Sequence, residues 1–210
     1  MFKRLSILAL IAVVAFILSA PVANADGVQV TLTGVSGGSA NGVDTSPYYG
    51  TVGTQTGVPI VCDDYWHEVY IGESWMANVN TFSTLSQARF QGATADATLL
   101  MYEEAAFLVE QLGSNPLAAN DISFAIWSIF SSGVPATGNS AWWLNYASSQ
   151  TYTPGEFANF IILTPQDNSQ GSAQEYLVKT PEPATFLLLG SGLFALVGLR
   201  RRKNCQIEAA

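Results

Sequence analysis

Sixteen residues without a charge, Ala184 to Leu199, run straight into Arg200-Arg201-Arg202-Lys203. A helix that is apolar all round has to be buried in protein or in lipid, and this one stands near the end of the chain. It would reach about 24 Å, against a hydrocarbon core of about 30 Å. Snorkelling of the basic side chains and slight thinning of the bilayer close the gap. The pattern predicts a transmembrane helix over about 184–199 and a basic stop at 200–203 on the cytoplasmic side. Everything before Pro181 then lies across the membrane. Pro181 and Pro183 flank Glu182 and hold the approach extended, because neither proline donates a backbone hydrogen bond. An ordinary single-pass anchor would share these features.

The other end carries a second targeting pattern. Lys3 and Arg4 precede an apolar stretch from Leu5 to Leu18, and Ala23-Asn24-Ala25 supplies a small-x-small cleavage site. Residues 1–25 therefore read as a secretory signal, cut between Ala25 and Asp26. Of 210 residues, the span 26–180 is left as one exported domain.

That span has 14 acidic residues and only two basic ones, Arg89 and Lys179, a net charge of about −12. Nucleic acid is excluded as a partner, since it requires a basic footprint. The charge suits a soluble exported protein that repels anionic surfaces. Cys62 is the single exported cysteine, and Cys205 falls on the cytoplasmic side of the basic stop, so no intramolecular disulfide is expected.

Within the exported span, 27–35 alternates apolar and polar residues and predicts a half-buried strand. Residues 34–57 are rich in Gly, Ser, Thr and Asn and read as loops around short strands, with Pro47-Tyr48-Tyr49-Gly50 as a turn. Further strands are expected over 58–61, 65–71 and 75–82. Asp96 to Leu112 is the best helix, with Leu99, Tyr102, Ala106 and Val109 on one stripe, Thr94 or Asp96 as cap and Gly113 after its end. A second helix starts at Asn120 or Asp121 and runs to about Phe130, on the stripe Ile122, Ala125, Ile126 and Ile129. Residues 141–144 read as a short helix or loop. Thr153-Pro154-Gly155-Glu156 has capping-box spacing. Strands over 160–163 and 174–178 form a final hairpin. The expectation is an α+β fold: a β-rich sandwich or barrel-like framework with a central helical pair, plus the C-terminal transmembrane helix.

The tail resembles the PEP-CTERM sorting signal of Gram-negative bacteria over roughly 180–203, with Asn204 to Ala210 extending past the basic cluster. Pro181, Glu182, Pro183, the Gly-rich apolar run, and Arg200, Arg201 and Arg202 carry the likeness. The resemblance implies recognition by an exosortase, a membrane enzyme similar to cysteine transpeptidases. It also implies transient contact with the inner membrane, removal of the tail, and release or attachment at the cell surface. Proteins with such tails accompany exopolysaccharide and biofilm production.

A second resemblance covers about 28–178. A β-rich start, Cys62-Asp63-Asp64, two helices and Ala125-Ile126-Trp127 are similar to thioester domains of bacterial surface adhesins. There a cysteine thiol and a glutamine side chain form an internal electrophilic bond. Ser123 stands in the place of that glutamine here, and a hydroxyl cannot replace a carboxamide in forming it. Gln111, the nearest glutamine upstream, belongs to the preceding helix.

Other chemistry is open at Cys62. Its simplest reading is a small hydrophobe completing a core strand. A nucleophilic thiol would need a base, and His67 is the sole histidine. Along an extended chain the two would lie about 16 Å apart on opposite faces. Cys62, Asp63, Asp64, His67 and Glu68 are metal-ligand types at a spacing of no established site, and Asp63-Asp64 suits a solvated turn. Glu103-Glu104 reads as a solvated helix face. The aromatics at 48, 49, 65, 66, 70, 75, 142 and 143 would stack on sugars if exposed together and otherwise fill the core. No cofactor or metal is expected. The function expected is that of a non-enzymatic, exported cell-surface or matrix protein, with exosortase and exopolysaccharide as partners. A covalent adhesin using Cys62 and a secreted hydrolase are the alternatives.

Overall fold

Val28, Val30 and Leu32 alternate with Gln29, Thr31 and Thr33, and this period of two builds β1 (Val28–Val35), with Val30 and Leu32 buried. The computed structural model describes residues 27–180 except 168, 170 and 171. The signal segment with Ala23 and Ala25, the tail with Pro181 to Pro183 and Arg200 to Arg202, and Cys205 lie outside the described residues. Among the described residues, no helix is long and apolar enough to cross a membrane. The transmembrane helix expected over 184–199 also lies outside them.

The remaining strands are β2 (Ser39–Ala40), β3 (Val43–Asp44), β4 (Tyr48–Val52), β5 (Gln55–Cys62), β6 (Ser74–Asn80), β7 (Phe160–Pro165) and β8 (Tyr176–Lys179). Six of them close a barrel in the order β1-β4-β5-β8-β7-β6, every pair antiparallel. β2 and β3 form a separate small hairpin. Of the two frameworks the sequence allows, the barrel is the one found. Closure leaves no open sheet edge.

The helices α1 (Ala95–Ser114), α2 (Ala119–Phe130) and α3 (Ser140–Ser148) all fall between β6 and β7, which are neighbours in the barrel. The expected pair is present as α1 and α2, and the segment 141–144, expected as a short helix or loop, lies in a third helix, α3, among the described residues. Strand parity divides the apolar residues into two cores. Ile60, Cys62, Leu163, Tyr176 and Val178 belong to one with Val30 and Leu32, while Val61, Ile162 and Leu177 meet the helices. α2 serves both: Phe124 and Trp127 pack into the first, and Ile122, Ala125 and Ile126 into the second. The six residues from Ile122 to Trp127 are consecutively buried, as a helix wedged between two cores requires.

Several sequence expectations are corrected. Pro47 to Gly50 is not a turn: Tyr48 opens β4 and is buried, pairing with Val35 and Ile60. A Cβ on Gly50 would sit 3.2 Å from the Thr31 carbonyl, so glycine permits this approach of β4 to β1. Residues 65–71 form no strand. Asp64 Oδ1 accepts from the Trp66 amide at 3.3 Å and turns the chain away from β5. Thr94 caps α1 as expected, accepting from the Ala97 amide. The helix runs through Gly113 and ends at Asn115, whose Nδ2 donates to the Gln111 carbonyl at 3.0 Å. Asn120 is no cap. It accepts from Thr45 Oγ1 at 2.7 Å and donates to the Ser39 carbonyl at 3.3 Å, tying α2 to the β2–β3 hairpin. Glu156 does accept from the Thr153 amide at 2.9 Å, yet Gly155 has φ +83° and the chain turns without a helix.

Among the described residues, the whole barrel and all three helices lie within 28–179. Phe124→Ala in that span is expected to cost about 3–5 kcal/mol. Leu117→Ala, at a fully exposed position, should stay within about 0.5 kcal/mol. Urea unfolding of both variants checks the contrast.

Candidate functional site

β5 ends at Cys62 by pairing with Tyr176, and the chain then enters a buried polar cluster at that end of the barrel. Asp63 and Asp64 are buried, not a solvated turn. Asp64 holds its place through charge: Arg89 Nη1 contacts its carboxylate, and His67 Nδ1 lies 2.9 Å from it. Arg89 also donates through its amide to Glu175 Oε2 at 2.8 Å and through Nη2 to Ser172 Oγ at 2.9 Å.

Glu175 is the second buried carboxyl, at the start of β8. Tyr102 from α1 donates its hydroxyl to Oε1 at 2.5 Å, and Thr164 from β7 donates to Oε2. Asn80 from β6 donates in turn to Thr164 Oγ1 at 2.9 Å. The cluster thus joins β5, β6, β7, β8 and α1. Burial raises the Glu175 pKa, and the donors from Thr164, Tyr102 and Arg89 pull it back. Burial also pushes the Tyr102 hydroxyl far above its ordinary range, so it remains a donor.

Asp63 is different. Its amide continues the ladder to the Glu175 carbonyl at 3.4 Å, but neither carboxyl oxygen meets a hydrogen-bond donor. Burial first, then the negative charges of Glu175 and Asp64, push its pKa well up. A neutral carboxyl is the form that this setting accepts.

Cys62 is fully buried. Its Sγ donates to the Asp64 carbonyl at 3.2 Å and accepts from the Asp64 amide at 3.4 Å. Burial, with Asp63 and Asp64 nearby, raises the thiol pKa well above its usual value and disfavours the thiolate. The Trp127 indole N–H leans toward the sulfur without reaching hydrogen-bonding geometry. His67 and Cys62 share no hydrogen bond: the imidazole Nδ1 meets the Asp64 carboxylate, whereas the thiol meets the Asp64 backbone.

Ser123 does come close. Its Oγ accepts from the Ser46 amide at 3.0 Å, and Ser46 Oγ accepts from the Cys62 amide at 3.1 Å. One serine therefore bridges the cysteine strand to α2. Gln111 instead sits near the C-terminal end of α1, beside Asn115. Among the described residues, no three of the His, Cys, Asp and Glu side chains converge as metal ligands.

Outside this cluster, and above Trp127, lies an open cleft of about 440 Å³. Tyr48, Tyr65, Tyr70, Trp127, Glu68 and Gln174 help to line it. The β2–β3 hairpin forms one wall and the β5–β6 connection the other. Tyr70 and Trp66 are exposed, and Glu68 accepts from the Tyr70 hydroxyl at 2.9 Å. A wall of ring faces and carboxylates offers stacking together with hydrogen-bond acceptors. The aromatics thus divide: Tyr48 and Trp143 are buried, whereas Tyr49, Trp66, Tyr70 and Trp142 are exposed. Glu103 and Glu104 are half-buried, and burial raises both pKa values.

The sequence pattern did not reveal Arg89, Tyr102, Thr164 or Glu175 as one cluster. Arg89 had a signal: it is one of two basic residues in a span of fourteen acids.

At the opposite end of the barrel, β8 stops at Lys179, and Thr180 donates through both its amide and its hydroxyl to the Asn159 carbonyl, at 2.7 and 2.8 Å. Residues 179–203 match the family model described as PEP-CTERM protein-sorting motif. The tail is a PEP-CTERM sorting signal. Such a signal directs export across the inner membrane to the cell envelope or surface, with an exosortase as the processing partner. No curated protein and no solved structure matches the chain. The comparisons therefore lend nothing to the thioester resemblance of the barrel domain.

Two outcomes test the buried cluster. Arg89→Met leaves Asp64 buried without its cation and is expected to destabilise by about 3–5 kcal/mol in urea unfolding. For Asp63, a raised folded pKa means a stabilising contribution that is complete below the unfolded value of about 3.9 and is lost as pH rises toward the folded value. Asp63→Asn removes that titration. Its urea midpoint should gain on the parent between about pH 5 and pH 8; a constant difference would show that Asp63 is already ionised.

Proposed function

We propose that this chain is a non-enzymatic cell-surface or matrix protein of a Gram-negative bacterium, working beside exopolysaccharide. The signal at 1–25 starts export. The run 184–199 then spans the inner membrane as a helix, with Arg200 to Lys203 left in the cytoplasm. The exosortase acts near Pro181-Glu182-Pro183, and the barrel domain is released or attached at the surface.

One observation carries this reading: the fold finishes where the signal begins. β8 ends at Lys179, Thr180 is fastened to Asn159, and Pro181 follows. Cutting at or beyond Pro181 spares every strand among the described residues. Cutting before Tyr176 would remove β8 and open the barrel between β5 and β7. Such a cut therefore leaves the described barrel whole, as removal of a temporary address requires.

The exopolysaccharide part of the reading draws on the cleft over Trp127. Exposed rings beside carboxylates suit neutral or amino-bearing sugars. An anionic polymer would meet a surface of the same sign, since Lys179 pairs with Glu110 at 2.7 Å and Arg89 with Asp64 inside the fold.

A covalent adhesin is the second reading, and the Cys62–Ser46–Ser123 bridge is what favours it, because it sets the thiol strand against the helix position where a thioester partner would stand. Ser123 supplies no carboxamide, so the bond would need another donor.

The mass of the mature protein recovered from the host surface tests both. The expected species begins at Asp26 and ends near Pro181 at its full calculated mass, with Cys62 alkylated once the protein is unfolded. A retained tail on a cytoplasmic domain would overturn the sorting route. Loss of one ammonia with a blocked Cys62 would establish the thioester instead.

A further inference from the structure

Three residues separate the last anchored position, Thr180, from the charge-free run that starts at Ala184. Three residues reach at most about 11 Å, so the tether is short. An inserted tail therefore brings the Thr180 end of the barrel almost onto the bilayer. That end is unlike the rest of an acidic molecule. Leu112 and Gly113, at the end of α1, line a groove of about 520 Å³ with Val61, Leu177 and Thr180. Four residues beyond Gly113, Leu117 is fully exposed. Beside it on α3, Trp142 is 57% exposed, and its ring stacks on that of Tyr146 at 5.1 Å. Apolar side chains with adjacent Trp and Tyr are what a lipid interface favours.

We infer that this face, centred on Leu117, Trp142 and Tyr146, rests in the interface of the bilayer while the tail is still attached. The inference rests on the reading of 184–199 as a membrane span. Its partner is a zwitterionic lipid surface, because the domain carries excess negative charge and Lys179, at the exit, is already paired with Glu110. Seated in this way, Pro181-Glu182-Pro183 lies at headgroup depth, within reach of a membrane-embedded processing enzyme. Once the tail is cut, three exposed side chains give little hold and the domain can leave.

The full chain in phosphatidylcholine vesicles tests this, on a Cys205→Ser background in which the buried Cys62 is unreactive. Leu117→Cys carries a fluorophore at the proposed face. Tyr70→Cys carries it at the cleft end, where β5 finishes and β8 begins, opposite Thr180. Quenching by lipids labelled near the headgroup is expected to be at least about twofold stronger at position 117, and to weaken when anionic lipid is added. Protease protection of the tail is read in parallel. Equal quenching at 117 and 70 with a protected tail overturns the inference and leaves the membrane span standing. An unprotected tail with no quenching overturns both.

Discussion

Three carboxyl groups are buried beside a single guanidinium, and the cleft end of the barrel depends on how they are shared out. Asp64 takes the Arg89 side chain. Glu175 takes the Arg89 amide together with the hydroxyls of Tyr102 and Thr164. Asp63 takes no donor and is pushed toward its neutral form by burial and by its two acidic neighbours. The donors come from the loop at Arg89, from α1 and from β7, so the cluster forms only when these segments meet the start of β8. A buried charge left without its partner costs several kcal/mol, which makes partial assembly unfavourable and a single arrangement preferred.

The helical excursion follows from the same geometry. β6 and β7 are neighbours, yet the chain between them makes three helices before it returns. α1 delivers Tyr102 to Glu175, and α2 presents Phe124 and Trp127 to the barrel core while its other face packs on α1. Ser46 then links α2 to β5 through the backbone of Cys62. The buried thiol stands at the junction of three supports, and its raised pKa suits a packing group better than a nucleophile.

The two ends of the barrel divide the work. One end has the polar cluster, the Trp127 floor and the aromatic cleft. The other releases the chain to its sorting signal directly after β8. The antiparallel pairing of β5 with β8 fixes this opposition: Cys62 faces Tyr176 at the cleft end, so Lys179 must leave at the far end. A surface open for binding and a tail committed to the membrane are therefore kept apart by the length of the barrel.

Local chemistry made much of this legible in the sequence. The charge-free run with its arginines, the proline pair and the alternation in β1 depend on neighbours along the chain. So do the Thr94 cap and the stripes of α1 and α2. Where the expectations failed, a distant partner decided. Tyr48 joined a strand because β1 and β5 flank it. Residues 65–71 left the sheet because Asp64 turned the chain. The Thr153–Glu156 cap formed, but Gly155 took a left-handed conformation and no helix followed. Asp63 and Asp64, which look like a wet turn, are buried because Arg89 and Glu175, 25 and 112 residues away from them respectively, close over them. Sequence alone determined the address and most of the elements, since those rest on periodicity and on charge counted locally. Tertiary structure alone decided which carboxyls lost their water, because desolvation is a property of the surroundings and not of the residue.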